Sequence, residues 1–196
     1  MRWVVACVIG EAIGIAVVSL GYSMGDRLYP QFAPALVLAA GAVEGLALGG
    51  AQAIAGRRFG IKSGRWIAVT VLAALVGYGL SVLGQSAFTG GTIDAASRAD
   101  EPPFYLIAAA GAGLGAFMGA LFGAAQSLVL PAHKSKRGWV LRNIVGWTAA
   151  MAFIMLAASF AGSDWPFWRV ALLGCASGAA AGLSLGLATR GAFLKT

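Results

Sequence analysis

Glu11 and Glu44 stand within long apolar runs of a chain of 196 residues. Glu11 lies eight residues beyond Trp3 and Glu44 thirteen before Arg57, about 12 Å and about 20 Å of helix rise respectively. Both depths fall inside a hydrocarbon layer about 30 Å thick. An ionised carboxylate costs several kcal/mol there, so each is expected to be protonated, hydrogen-bonded or turned to a cavity. Two such groups can hold a proton or a cation. The structural alternative is two neutral acids, each bonded to a carbonyl or hydroxyl of a neighbouring helix. Gln52 and Gln126, with Thr189, stand about one turn from clusters of basic residues. They could ring a vestibule, or hydrogen-bond between helices at about 1 kcal/mol per contact. Asn143 could donate across to the fourth or sixth helix, while Arg142 beside it snorkels to headgroups.

Other chemistry finds no support in these residues. Gly182 to Gly186 is formally G-x-S-x-G around Ser184, but a nucleophile elbow needs a strand-to-helix turn and a base. The single histidine, His133, sits in a basic turn instead. All four aspartates lie outside the apolar runs, which excludes an intramembrane aspartate pair. Glu11 and Glu44 could share a proton as a dyad, yet no substrate-binding constellation accompanies them. No phosphate loop, zinc spacing or haem-ligating histidine appears, so neither enzyme activity nor a cofactor or metal is expected.

The elements that carry these residues follow from composition. With 59% hydrophobic and 11% charged residues, the chain could not cover a soluble surface with polar groups. Six stretches of about 20 or more apolar residues can cross a bilayer, at 3–24, 32–56, 66–88, 104–130, 139–161 and 167–188. The reading is an all-α polytopic membrane protein forming a single domain over 1–196. The longest connector, Thr89 to Pro103, is too short to fold alone. Glu11 interrupts the first span and no A-x-A-like cleavage site follows, so that span is expected to be retained rather than to act as a secretory signal. Cys7 and Cys175 fall within spans and offer no disulfide framework.

Eleven of the fourteen Lys and Arg residues lie on one side of these spans. The positive-inside rule makes that side cytoplasmic, with both termini there. The expected location is the bacterial inner membrane. Its anionic headgroups are the expected partner of the basic turns, and the turns carry no element that would read nucleic acid.

Three phrases share one spacing: "GLALGGAQAIAG" from Gly45, "GALFGAAQSLVL" from Gly119 and "GLSLGLATRGAF" from Gly182. Extended backwards, the second span carries Gly41, Gly45 and Gly49. The fourth carries Gly111, Gly115, Gly119 and Gly123, and the sixth Gly174, Gly178, Gly182 and Gly186. Four-residue spacing lines these glycines along one stripe, along which two helices in lipid can approach closely. Trp3, Trp66 and Trp139 open the odd-numbered spans, where an indole suits the headgroup region. Trp165 and Trp168, in "DWPFWR", read as the outer aromatic belt. The expected unit is a glycine-ladder helix, a basic turn and a Trp-led helix, used three times in a pseudo-threefold bundle. Neither glutamate recurs: Ala74 and Trp147 match Glu11, and Met118 and Ala181 match Glu44.

The G-x-x-x-G-x-x-Q phrase, basic turn and tryptophan resemble a pattern in uncharacterised bacterial multi-pass membrane proteins, over most of the chain. The resemblance implies a family without an assigned activity. Thr189 departs from it, standing where the pattern has Gln. The glycine ladders lead to the expectation of a non-enzymatic accessory, assembly or scaffold subunit that associates with other membrane subunits. The alternative is a small-solute or ion channel or transporter with Glu11 and Glu44 as proton- or cation-linked groups. The absence of mid-span proline counts against that alternative, because transporter sites usually lie at broken helices.

Overall fold

The computed structural model describes residues 1–88 and 102–193, and among them the regular structure is helical with no strand. The helices are α1 (Arg2–Arg27), α2 (Ala33–Gly56), α3 (Ser63–Phe88), α4 (Phe104–Ser127), α5 (Lys136–Ser159) and α6 (Phe167–Arg190). All six are long and apolar enough to cross a membrane, so the chain is a multi-pass membrane protein. Asp94, Arg98, Asp100 and Lys195, which are among the aspartates and cations counted from sequence, lie outside the described residues.

Local chemistry sets the helix ends. Pro34 occupies the first turn of α2, and α4 and α6 start directly after Pro103 and Pro166, where a missing N–H leaves no helical bond unmade. Ser135 caps α5 by accepting from Gly138 N at 3.1 Å, which satisfies one of the free N-terminal donors. After α2, the 3-10 turn Arg57–Phe59 is stopped by Gly60 at φ 86°, a conformation glycine adopts without a Cβ penalty. Residues 128–130, expected inside the fourth span, instead form a turn ahead of Pro131, because the residue before a proline disfavours helix. α3 and α5 begin about a turn ahead of the expected spans, since apolar composition marks lipid depth rather than helix ends.

The six helices form a ring in which each packs on its neighbours in sequence and α6 closes on α1. Glycine decides where they meet. A Cβ at Gly45 would lie 2.8 Å from Val71 Cα of α3, and one at Gly49 3.0 Å from Thr70 Cβ. The α4 stripe lies on α5 in the same way, with Gly119 facing Ile144 and Asn143, and the α6 stripe lies on α1, with Gly182 facing Cys7 and Val8. Gly10 and Gly146 bring α1 onto α2 and α5 onto α6. The shortest seam joins α3 and α4, where Gly77 faces the flexible Met118 thioether instead of backbone.

Apolar and polar residues are distributed for a bilayer. α1 exposes Val5, Ile9 and Ile13 but buries Cys7, Glu11 and Gly14. In water that arrangement would be inverted, whereas lipid solvates the outer aliphatic face and leaves polar groups to bond inside. The centre of the ring is a cluster including Leu48, Ala74, Phe122, Trp147 and Leu185, with Phe122 and Trp147 stacked at 4.9 Å.

Candidate functional site

Glu11 sits on the inward face of α1 in mid-helix and is 0% exposed. Neither of its carboxyl oxygens has a hydrogen-bond partner among the described residues. Glu44, on α2, packs against α1 one turn beyond: a Cβ at Gly14 would lie 2.6 Å from Glu44 Cγ. Glu44 is held differently, because the Tyr78 hydroxyl of α3 donates to its Oε2. Of the two expected alternatives, Glu44 thus follows the hydroxyl-bonded one and Glu11 has no protein cap. Burial without a partner is costly for any polar group.

Polar groups continue from this pair toward both ends of the bundle. Outward, the Tyr22 hydroxyl of α1 lies 3.5 Å from Ser81 Oγ of α3. Tyr22 also lines a cavity of about 270 Å³ together with Asp26 and Val37. In the opposite direction Cys7 follows Glu11 by one turn of α1, and Gln52 Nε2 donates to its Sγ at 3.5 Å. Gln52 Oε1 accepts from Trp66 Nε1 and from Gln126 Nε2, each at 3.1 Å. Gln126 Nε2 also reaches Thr70 Oγ1 at 3.1 Å. Trp3 Nε1 donates to Thr189 Oγ1 at 2.8 Å. Gln52, Gln126 and Thr189 are each 1% exposed, so they bond between helices and line no open vestibule. Gln126 Oε1 and Trp139 Nε1 are an acceptor and a donor left without partners in this layer.

The tryptophans of this layer require a correction. Trp3, Trp66 and Trp139 were expected at the headgroups, but all are buried, at 3%, 0% and 0% exposure. Their rings meet edge to face with centroids 5.5 to 6.3 Å apart, and Phe193 lies 4.6 Å from Trp3. Edge-to-face pairs contribute about 0.5–1.5 kcal/mol each beyond burial, so the indoles join α1, α3 and α5 rather than anchor them outward. Asn143 Nδ2 donates to Trp139 O of its own helix at 3.0 Å. The i−4 carbonyl lies within reach of a short amide and takes one of its two N–H donors. Arg142 bonds Ala188 O at 3.3 Å.

At the opposite end Trp168 is 62% exposed, and Arg169 lies over the half-buried Trp165 ring at 4.9 Å. Arg27 donates to Trp165 O and Gly162 O, which ties the end of α1 to the turn before α6. Ser184 Oγ donates to Ala180 O within its helix, so the G-x-S-x-G stretch is helix. Both cysteines are free, Cys7 buried and Cys175 exposed. No group of three metal-ligating side chains occurs among the described residues.

Tyr78 and Cys7 are the partners that were not singled out from sequence. The signal was present: steps of four from Trp66 pass through Thr70 and Ala74 to Tyr78, and steps of four from Trp3 pass through Cys7 to Glu11. No protein-family model, curated protein or solved structure matches this chain.

Proposed function

We propose that the protein is a proton-linked carrier or channel of the bacterial inner membrane, with its path inside α1, α2 and α3. The observation that carries this reading is Glu11, a mid-helix carboxyl group with no solvent exposure and, among the described residues, no partner for either oxygen, beside a second carboxyl group. An ionisable side chain in that position is a functional group by default, because a purely structural site would cap it or replace it with an apolar residue. The polar sequence Asp26, Tyr22, Ser81, Tyr78, Glu44, Glu11, Cys7, Gln52 supports a route along which protons, alone or with a small solute, are handed on. The Trp3, Trp66 and Trp139 cluster closes the basic end of that route and acts as its gate.

The same reading takes the chain as three hairpins around a pseudo-threefold axis with both termini cytoplasmic. Support comes from residues at equal repeat positions that share an environment. Leu48, Phe122 and Leu185 all join the core, the opening tryptophans of α1, α3 and α5 meet, and the glycines of α2, α4 and α6 each face the helix that completes a pair. On that scaffold Glu11 replaces what is Ala74 in one copy and Trp147 in another. The carboxyl groups are therefore additions to a fold that closes without them. No catalytic constellation accompanies them, and the proposal does not include an enzyme.

A role as an accessory subunit draws on a different surface. The glycine stripes of α2, α4 and α6 are occupied by the chain's own helices, but Gly79 of α3 and Gly113 of α4 have nothing within 4 Å of an added Cβ. These open positions belong to the two helices that share the shortest seam, and they suit a helix from another membrane subunit.

Flux measurement tests the main reading. Purified protein in liposomes, energised by a potassium gradient and valinomycin, is expected to admit protons faster than protein-free liposomes. Glu11→Gln is expected to reduce that rate at least about tenfold, equivalent to about 1.4 kcal/mol of barrier. Equal rates for native and Glu11→Gln protein would refute the assignment, as would a native rate no higher than that of empty liposomes.

A further inference from the structure

The basic end of the bundle holds a cavity of about 780 Å³ above the tryptophan cluster, lined by Arg58, His133, Lys134, Arg190, Phe59 and Phe193. Arg58 comes from the turn after α2, Lys134 from the turn after α4 and Arg190 from the last turn of α6. Three separate segments thus bring three cations to one mouth. Topology alone asks for cations on this side of the membrane but not for their convergence. Lys62, Arg65 and Arg137 meet the same charge rule without lining the cavity.

Aromatic rings set the positions of two of these cations. Arg58 lies over Phe59 at 4.6 Å, Lys134 over Phe193 at 5.9 Å, and the two rings stack at 4.6 Å. Among the described residues no hydrogen bond or ion pair engages the guanidinium groups of Arg58 and Arg190 or the Lys134 ammonium group. Arg57 and Arg142 differ, since each donates within the chain, to Ser63 Oγ and to Ala188 O. No Asp or Glu occurs in segments 57–65, 131–138 or 190–196. Among the described residues no carboxylate side chain lines the cavity, so an anion from outside the chain can supply the counter-charge.

We infer that this cavity binds a phosphate group, with Arg58, Lys134 and Arg190 as its ligands. Guanidinium groups offer paired N–H donors that match phosphate oxygens, and an ammonium group adds a point charge. Three like charges in a concave mouth also raise the local anion concentration. The volume leaves room for more than a free phosphate, so the group can be carried by a lipid headgroup or by a soluble phosphate compound.

Calorimetric titration of the full chain in uncharged detergent tests this with two probes, pyrophosphate and dihexanoyl phosphatidylglycerol. The triple variant Arg58→Gln, Lys134→Gln, Arg190→Gln is compared with the control Lys62→Gln, Arg65→Gln, Arg137→Gln, which removes equal charge outside the cavity. Saturable binding is expected for at least one probe, weakened at least about tenfold in the first variant and retained in the second. Binding of pyrophosphate identifies a soluble ligand, and binding of the lipid alone identifies a headgroup. Failure of both probes to bind, or weakening by less than that, or equal weakening in the two variants, overturns the inference. Arg58 and Arg190 are exposed and Lys134 is half-buried, so thermal unfolding is expected to be unchanged. Should the triple variant not fold, Lys134→Gln alone is titrated, with at least about threefold weakening expected and unchanged affinity refuting the site.

Discussion

Replacing Gly119 with alanine tests whether the glycine stripes build the fold. A Cβ at this position would lie 2.5 Å from Ile144 Cα, 2.6 Å from Asn143 O and 2.8 Å from Asn143 C. Ordinary contacts begin at 3.4 Å, so α4 and α5 must separate locally by up to 0.9 Å, the difference between 3.4 and 2.5. All three atoms are backbone, and no rotamer change relieves them. Overpacking of this kind costs about 1–3 kcal/mol. Alanine's better helix propensity returns up to about 1 kcal/mol, which leaves a net loss of up to about 2 kcal/mol, a factor of up to about 30 in the folded-to-unfolded ratio. Gly50→Ala is the matched control, since nothing lies within 4 Å of its added Cβ. Reversible unfolding in mixed micelles, followed by circular dichroism, is expected to separate the two variants by the overpacking cost, about 1–3 kcal/mol, because the propensity gain is common to both. Equal stability for Gly119→Ala and Gly50→Ala would refute the reasoning, and so would stabilisation of both.

Three further outcomes follow from the polar interior. Glu11→Leu removes an unpartnered buried carboxyl group and is expected to stabilise the protein by about 1–3 kcal/mol while lowering proton flux, with unfolding and liposome assays run on one preparation. Tyr78→Phe deletes the hydroxyl that Glu44 accepts from; a loss of about 1–3 kcal/mol and slower flux are expected, and full native stability would contradict that bond. Trp3→Phe breaks the 2.8 Å bond to Thr189 whereas Trp139→Phe removes an indole N–H that has no partner, so the first is expected to lower stability by about 1 kcal/mol more than the second.

Much of this fold was legible because lipid simplifies the code. Apolar length marked the six helices, and glycines of the four-residue rhythm, Gly45, Gly119 and Gly182 among them, lie against a neighbouring helix. The rhythm did not say which neighbour each meets. Contact between Gly182 and Cys7 or Val8 joins the two ends of the chain, and only three-dimensional closure decides it. The indoles were misplaced because a tryptophan near a helix end suits either headgroups or an aromatic cluster, and composition cannot separate them. Helical phase could have done so: Trp3, Cys7 and Glu11 recur every four residues, which commits Trp3 to the same inward face as the carboxyl group. Phase would likewise have found Tyr78, four residues beyond Ala74. The bond made by Asn143 was illegible for another reason, since a short amide can donate to its own helix, which leaves no trace in the pattern of its neighbours.

Proton exchange at Glu11 during an imposed pH step tests the central claim most directly. Infrared difference spectra of the reconstituted native protein, recorded in ¹H₂O and ²H₂O, are expected to show a carboxyl C=O band that responds to the step and shifts on deuteration. That band is expected to be missing in Glu11→Gln and retained in Gly50→Ala. A spectrum without a responding carboxyl band, or one in which Glu11→Gln leaves the band unchanged, would contradict the account.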